Sequence, residues 1–193
     1  MKKWFVFVIC LGLLQAAEVA AESPEKTAIG LEELSGLNLK ISEIPPIYLL
    51  KKGKSGYENH DKVAVDMVYY ESGEGRQNIL SSLSLYDTAG QAACGFDAAK
   101  AAFSRQRDGN IDENAAAFGQ KSATLVAHYA DPKTGDYDLY EMIFSYGNVV
   151  ATIRVGAPEG EVSQKEAAQY ARTVEKNLQK DCPKCAQAES CSQ

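Results

Sequence analysis

The chain has 193 residues, 26 acidic against 20 basic side chains, and a formal net charge of −6. An acidic surface of this kind repels phosphate backbones and carries no polybasic patch for anionic lipid, which argues against nucleic acid and membrane surfaces as partners. The length suits one domain with a sizeable core.

The N-terminus, MKKWFVFVICLGLLQAAEVAAES, has the layout of an export signal. Lys2 and Lys3 form a positive start, and Trp4 to Leu14 is an apolar run too short to span a bilayer as a helix. Val19-Ala20-Ala21 supplies the small residues of a cleavage site before Glu22. Ile9 precedes Cys10, where lipoprotein processing wants a small residue. Residues 1–21 are therefore predicted to be a signal peptide. Their removal leaves 172 residues and takes away two positive charges and one negative, so the net charge moves from −6 to −7. No later stretch is apolar enough to cross a membrane, and the mature chain is expected to be soluble, and periplasmic or secreted.

Residues 22–61 read as an N-terminal extension. GLEELSGL hints at a helix, Pro45-Pro46 breaks it, Ile47 to Leu50 suggests a short edge strand, and KKGKSGYENHD reads as a loop. The domain proper is expected over residues 62–180. KVAVDMVYY alternates, with Val63, Val65, Met67 and Tyr69 on one face and Ala64, Asp66, Val68 and Tyr70 on the other. NILSSLSLYD alternates again, and the Gly-rich turn between the two predicts a hairpin.

TAGQAACGFDAAKAAFSRQR predicts a helix with Ala92, Phe96, Ala99 and Phe103 on one stripe. Gly95 weakens that helix by about 1 kcal/mol relative to alanine and suggests a kink. Three strands follow: SATLVAHYA, YDLYEMIFSY and VVATIRV, the last two joined by Gly147-Asn148. The closing helix has the capping-box pair Ser163 and Glu166 and the stripe Ala167, Tyr170, Ala171, Val174 and Leu178. It should stop near Lys180, since Pro183 lies just beyond. Residues 181–193 form a cysteine-containing tail.

The pattern predicts an α+β fold: a single antiparallel sheet of about five to six strands with two main helices packed on one face. The alternation, the closing helix and the run Tyr146-Gly147-Asn148-Val149-Val150 over roughly residues 62–180 resemble small exported bacterial α+β domains of the PsbP/Mog1-like sheet-and-helix type. That resemblance implies a non-catalytic binding or accessory role and transfers no site residue.

Four cysteines remain after export: Cys94, Cys182, Cys185 and Cys191. Outside the cytosol they are expected to form two disulfides, with three connectivities open. Cys182-Pro183-Lys184-Cys185 invites a thioredoxin-like reading, but it follows a helix C-terminus, where the dipole raises a thiol's pKa. Ala186 stands where haem attachment needs histidine. Zinc would need Cys94 as a fourth ligand without a paired second knuckle. A Cys94–Cys182 bridge clamping two helices on a shared face, with Cys185–Cys191 in the tail, is the favoured pairing. Closing that long loop would contribute about 4 kcal/mol in the chain-entropy account.

DGNIDEN places Asp108, Asn110, Asp112 and Asn114 at alternate positions, as in a calcium loop. Glu113 stands at the sixth position and Gly119 at the twelfth, where the pattern wants glycine and glutamate, so a solvated turn is expected. His60 and His128 have no nucleophile motif beside them. No catalytic residue, cofactor or metal is assigned.

Tyrosines are the feature most suggestive of binding. Tyr140 and Tyr146 share a strand face with Met142 and Phe144, and Tyr70 and Tyr86 could extend it. Such rows are commonly core; facing outward, they would form an amphipathic platform for peptide, glycan or lipid. The sequence thus points to an exported, non-enzymatic binding or accessory protein with an unknown envelope protein or small ligand as partner. The alternatives are a thiol, disulfide or metal protein using the tail, and a hydrolase with a dispersed site.

Overall fold

The structure is a computed structural model and describes residues 26–52, 56–60, 63–106, 110–112, 115–131 and 135–185. The predicted signal peptide, Cys191, Asp61, Asp108, Glu113, Asn114 and the side chain of His60 lie outside the described residues.

Among the described residues eight strands form one sheet: β1 Tyr48–Leu50, β2 Gly56–His60, β3 Val63–Ser72, β4 Asn78–Leu85, β5 Asn110–Asp112, β6 Lys121–Asp131, β7 Gly135–Tyr146 and β8 Val149–Pro158. The order is β1-β3-β4-β8-β7-β6-β5, with β2 also on β3, and every pairing is antiparallel. β1 and β2 take successive stretches of the same flank of β3, so they act as one interrupted edge strand.

The sheet is therefore larger than the expected five to six strands. The additions are β2, inside the stretch read as a loop, and β5, inside the acidic stretch read as a turn. Both are short polar edge strands, and such strands lack the apolar alternation that reveals a buried one. The edge strand expected around Ile47 to Leu50 is β1.

The described residues include three α-helices beside the sheet: α1 Leu34–Leu37, α2 Ala89–Gln106 and α3 Gln164–Asp181. α1 continues from a 3₁₀ turn, Leu31–Glu33, where the sequence hinted at helix. α3 begins with the expected capping box: Ser163 Oγ accepts from Glu166 N, and Ser163 N donates to Glu166 Oε2 at 2.8 Å. It runs one residue past the expected stop.

The two long helices lie on opposite faces of the sheet, which corrects the expectation of a shared face. Strand parity decides the matter. Ala92, Phe96 and Phe103 of α2 pack on Ala123, Leu125, Ala127, Leu139, Ile143 and Val150. Ala167, Ala171, Val174 and Leu178 of α3 pack with Tyr140, Met142, Phe144 and Tyr146 and with Val149, Ala151, Ile153 and Val155. Odd and even residues of β7 thus serve different helices, and Asp138 to Tyr146 are all buried. A strand buried on both faces reads as a continuous run rather than an alternation.

α2 is one continuous helix, with no break at Gly95. A Cβ there would sit 2.2 Å from the Tyr86 hydroxyl, so the glycine gives that ring room beneath the helix.

On the α3 face, the chain from Ile29 to Tyr48 covers β3 and β4. Buried Asn38 anchors it: Nδ2 donates to the Asp66 carboxylate at 2.7 Å, and Oδ1 accepts from Leu39 N and from Ser81 Oγ. Asn148 ties the same segment to the β7–β8 turn. Its Oδ1 accepts from Ile29 N at 2.9 Å, and its Nδ2 donates to Ile29 O and Tyr86 O.

Candidate functional site

The tyrosines singled out in the sequence do not form an outward platform. Tyr70, Tyr140 and Tyr146 are buried in the core beneath α3 and the N-terminal segment. Tyr70 donates to Leu39 O at 2.7 Å, and Tyr146 to Cys182 O at 2.9 Å. Tyr86 lies on the opposite face, packed against the α2 cluster. Burial pushes the pKa of all four phenols up. These rings are structural, each apolar body in the core with its polar tip satisfied where a partner is in reach.

The cysteines also pair differently from the expectation. Cys182 is joined to Cys185, with Cα atoms 5.3 Å apart, so neither the Cys94–Cys182 clamp nor the Cys185–Cys191 bridge forms. The physical reason is local: the two cysteines stand three residues apart in the turn that ends α3, which brings their sulfurs together, while the two long helices take opposite faces of the sheet. Cys94 is disulfide-bonded as well. Cys182 and Cys185 are both buried, Cys185 against the β7–β8 turn, where a Cβ on Gly147 would meet its Cβ at 2.7 Å. A bridge sealed in this way is a staple, since thiol exchange requires access to a sulfur.

His128 is exposed, and its Nδ1 lies 2.5 Å from Oδ1 of the buried Asp138. The carboxylate also accepts from Gly160 N at 3.2 Å. A carboxylate-oriented imidazole is one half of a hydrolytic triad. Among the described residues no serine, threonine or cysteine bonds to this ring. Among the described residues there is also no group of three or more His, Cys, Asp or Glu placed to hold a metal ion. Asp112 sits in β5, where it accepts from Gln164 Nε2 at 2.7 Å.

The surface that remains unassigned is half of the α2 face. α2 packs over β6, β7 and β8, and among the described residues no long helix packs on the same face of β3 and β4. Register places Val65, Met67 and Tyr69 of β3 beside Ser84, Ser82 and Leu80 of β4, then Thr152 and Arg154 of β8. All of these are half-buried. At the outer edge Leu49 faces Glu71 and is 56% exposed, and Ile47, just before β1, is 55% exposed. They are the two most exposed large hydrophobic residues among those described.

Polar groups are built into the same half-face. Arg154 Nε donates to the buried Glu141 carboxylate at 2.7 Å, which holds the guanidinium in place. Tyr137 lies across Gly156, where a Cβ would come within 2.5 Å of its hydroxyl, and accepts from Asn78 Nδ2. Burial raises the Tyr137 pKa, with the Asn78 hydrogen bond acting in the opposite direction. An open, partly apolar sheet surface with fixed polar groups is the usual composition of a recognition surface.

The open surface carries Tyr69 and Tyr137, while Tyr70 and Tyr140 point into the core. Adjacent tyrosines at 69 and 70 gave no sign of which face the helices would take.

No protein-family description matches this sequence, and no curated protein matches it. Among solved structures, the chain is similar to the extracellular domain of PknH from Mycobacterium tuberculosis, with a TM-score of 0.56 and 12% identity over 79% of this chain and 98% of that one. At that identity the likeness is one of fold. Among the described residues no helix is long and apolar enough to cross a membrane.

Proposed function

We propose that this chain is an exported, non-enzymatic binding module that docks a segment of another envelope protein on the open half of its sheet. The observation that carries the reading is the exposure of Leu49 and Ile47 at the margin of the half-buried surface of Met67, Tyr69 and Leu80. Contiguous apolar surface of this kind on a folded domain marks an interaction site more often than a solvent face. Export rests on the signal-like N-terminus and is supported by the disulfides, which persist outside reducing compartments. The likeness to an extracellular domain and the sequence resemblance to PsbP/Mog1-like domains favour the same accessory role.

The test is site-specific photo-crosslinking in native envelope. A photoreactive residue at position 49 is expected to give one defined protein adduct that disappears when Ile47→Asp is added. The exposed position Gln179 on α3 serves as the control. Equal labelling from both positions, or no adduct from position 49, refutes the assignment.

A further inference from the structure

A second surface lies on the other side of the molecule, along the outer side of α3. A groove of about 740 Å3 runs along this helix, with Asp112, Ala115 and Ala116 on its other side. Lys165, Gln169, Arg172 and Lys176 follow one another along it at spacings of four, three and four residues, and all are exposed. These spacings keep the side chains on one stripe of the helix. Ala115, Ala116 and Ala168 supply the apolar part of the lining.

The charge arrangement of this groove runs against that of the whole chain. The protein carries a net charge of −6, yet Lys165, Arg172 and Lys176 make no ion pair among the described residues. Four acidic groups on α3 and its approach have other partners. Glu161 pairs with Arg76, Glu166 caps Ser163, Glu175 accepts from Gly119 N at 2.7 Å, and Asp181 pairs with Lys26. Asp112, at the groove's end, holds Gln164. Arg172 is itself positioned, its guanidinium stacked over the Phe118 ring at 5.2 Å from the centroid. A cation held on an aromatic face keeps its planar donors free for a carboxylate.

We infer that this groove binds an extended acidic peptide segment of a partner protein. Lys165 to Lys176 spans about 16 Å at the helical rise, the length of about five extended residues. Three separated cations match a row of carboxylates, while one phosphate group would reach only one of them. The alanines leave room for a main chain to approach, and the Gln169 amide adds a partner for it.

The experiment uses the mature chain and a hexaglutamate peptide, read by calorimetry or fluorescence anisotropy. Binding is expected at low ionic strength and should weaken as salt screens the cations. The triple variant K165Q/R172Q/K176Q should lose roughly tenfold or more in affinity, from three modest ion-pair contributions. These side chains are exposed, and an unchanged melting temperature shows that the variant is folded. R172K alone, which keeps the charge but loses the planar fork, should bind more weakly than the parent chain and more tightly than the triple variant. Absence of binding at low salt overturns the inference, as does binding that the triple variant retains. Tighter binding of oligogalacturonate or polyphosphate than of the peptide also overturns the peptide assignment. The crosslinking site at position 49 is on the opposite face, so the two proposals fail independently.

Discussion

At the scale of single residues, Asn148 carries more than its place in a turn suggests. The pair Gly147-Asn148 was legible as a hairpin, and Gly147 does take a left-handed φ of +56°. The Asn148 side chain satisfies three main-chain groups, two of them on Ile29, 119 residues away. No local pattern announces a partner so distant. Replacing Asn148 with alanine leaves a buried donor and two acceptors without partners. The expected loss is roughly 3 kcal/mol, at about 1 to 3 kcal/mol for each unsatisfied group with partial relief by water. Chemical denaturation of N148A against the parent chain measures it. A midpoint unchanged at constant slope would show that the clamp contributes nothing.

At the scale of elements, loop length fixes the worth of the tail staple. A bridge from Cys94 to Cys182 would have closed a loop of more than eighty residues. The observed Cys182–Cys185 bridge has a sequence separation of 3. In the chain-entropy account this lowers the expected contribution from about 4 to about 2 kcal/mol. The double substitution Cys182→Ala with Cys185→Ala should therefore lower stability by about 2 kcal/mol and leave α3 in place, since its capping box is at the other end. A loss near 4 kcal/mol in denaturant titration would contradict the assignment. The same elements show what the sequence can express. α3, β3, β4 and β8 carry their periodicity and caps locally, so their existence was readable. β2 and β5 were not, because short polar edges have no apolar face to repeat. The side taken by each helix was not readable either, because β7 is apolar on both faces and accepts a helix on each. The open half-face follows from that choice alone, so the candidate site was the least legible part of the chain.

At the scale of the whole molecule, the two-sided core makes the protein sensitive to alkali. Seven phenols, those of Tyr48, Tyr70, Tyr86, Tyr137, Tyr140, Tyr146 and Tyr170, have raised pKa values, with burial the largest cause in each. Tyr48 is pushed up to about 12. Tyrosine in an unfolded chain ionises near pH 10. Above that pH the unfolded state binds fewer protons than the folded one, so stability falls as pH rises. The contribution is fully present below about pH 10 and is lost as pH climbs through the folded values, which for Tyr48 means a window of about 10 to 12. Because these rings lie in both layers on either side of the sheet, neither layer can ionise its tyrosines and keep its packing. Phenolate absorbance should therefore rise in two stages, first for accessible rings and then in one cooperative step that coincides with loss of the circular-dichroism signal of the sheet. If every tyrosine titrates near pH 10 while that signal persists, the rings are not held in the core as the structure places them.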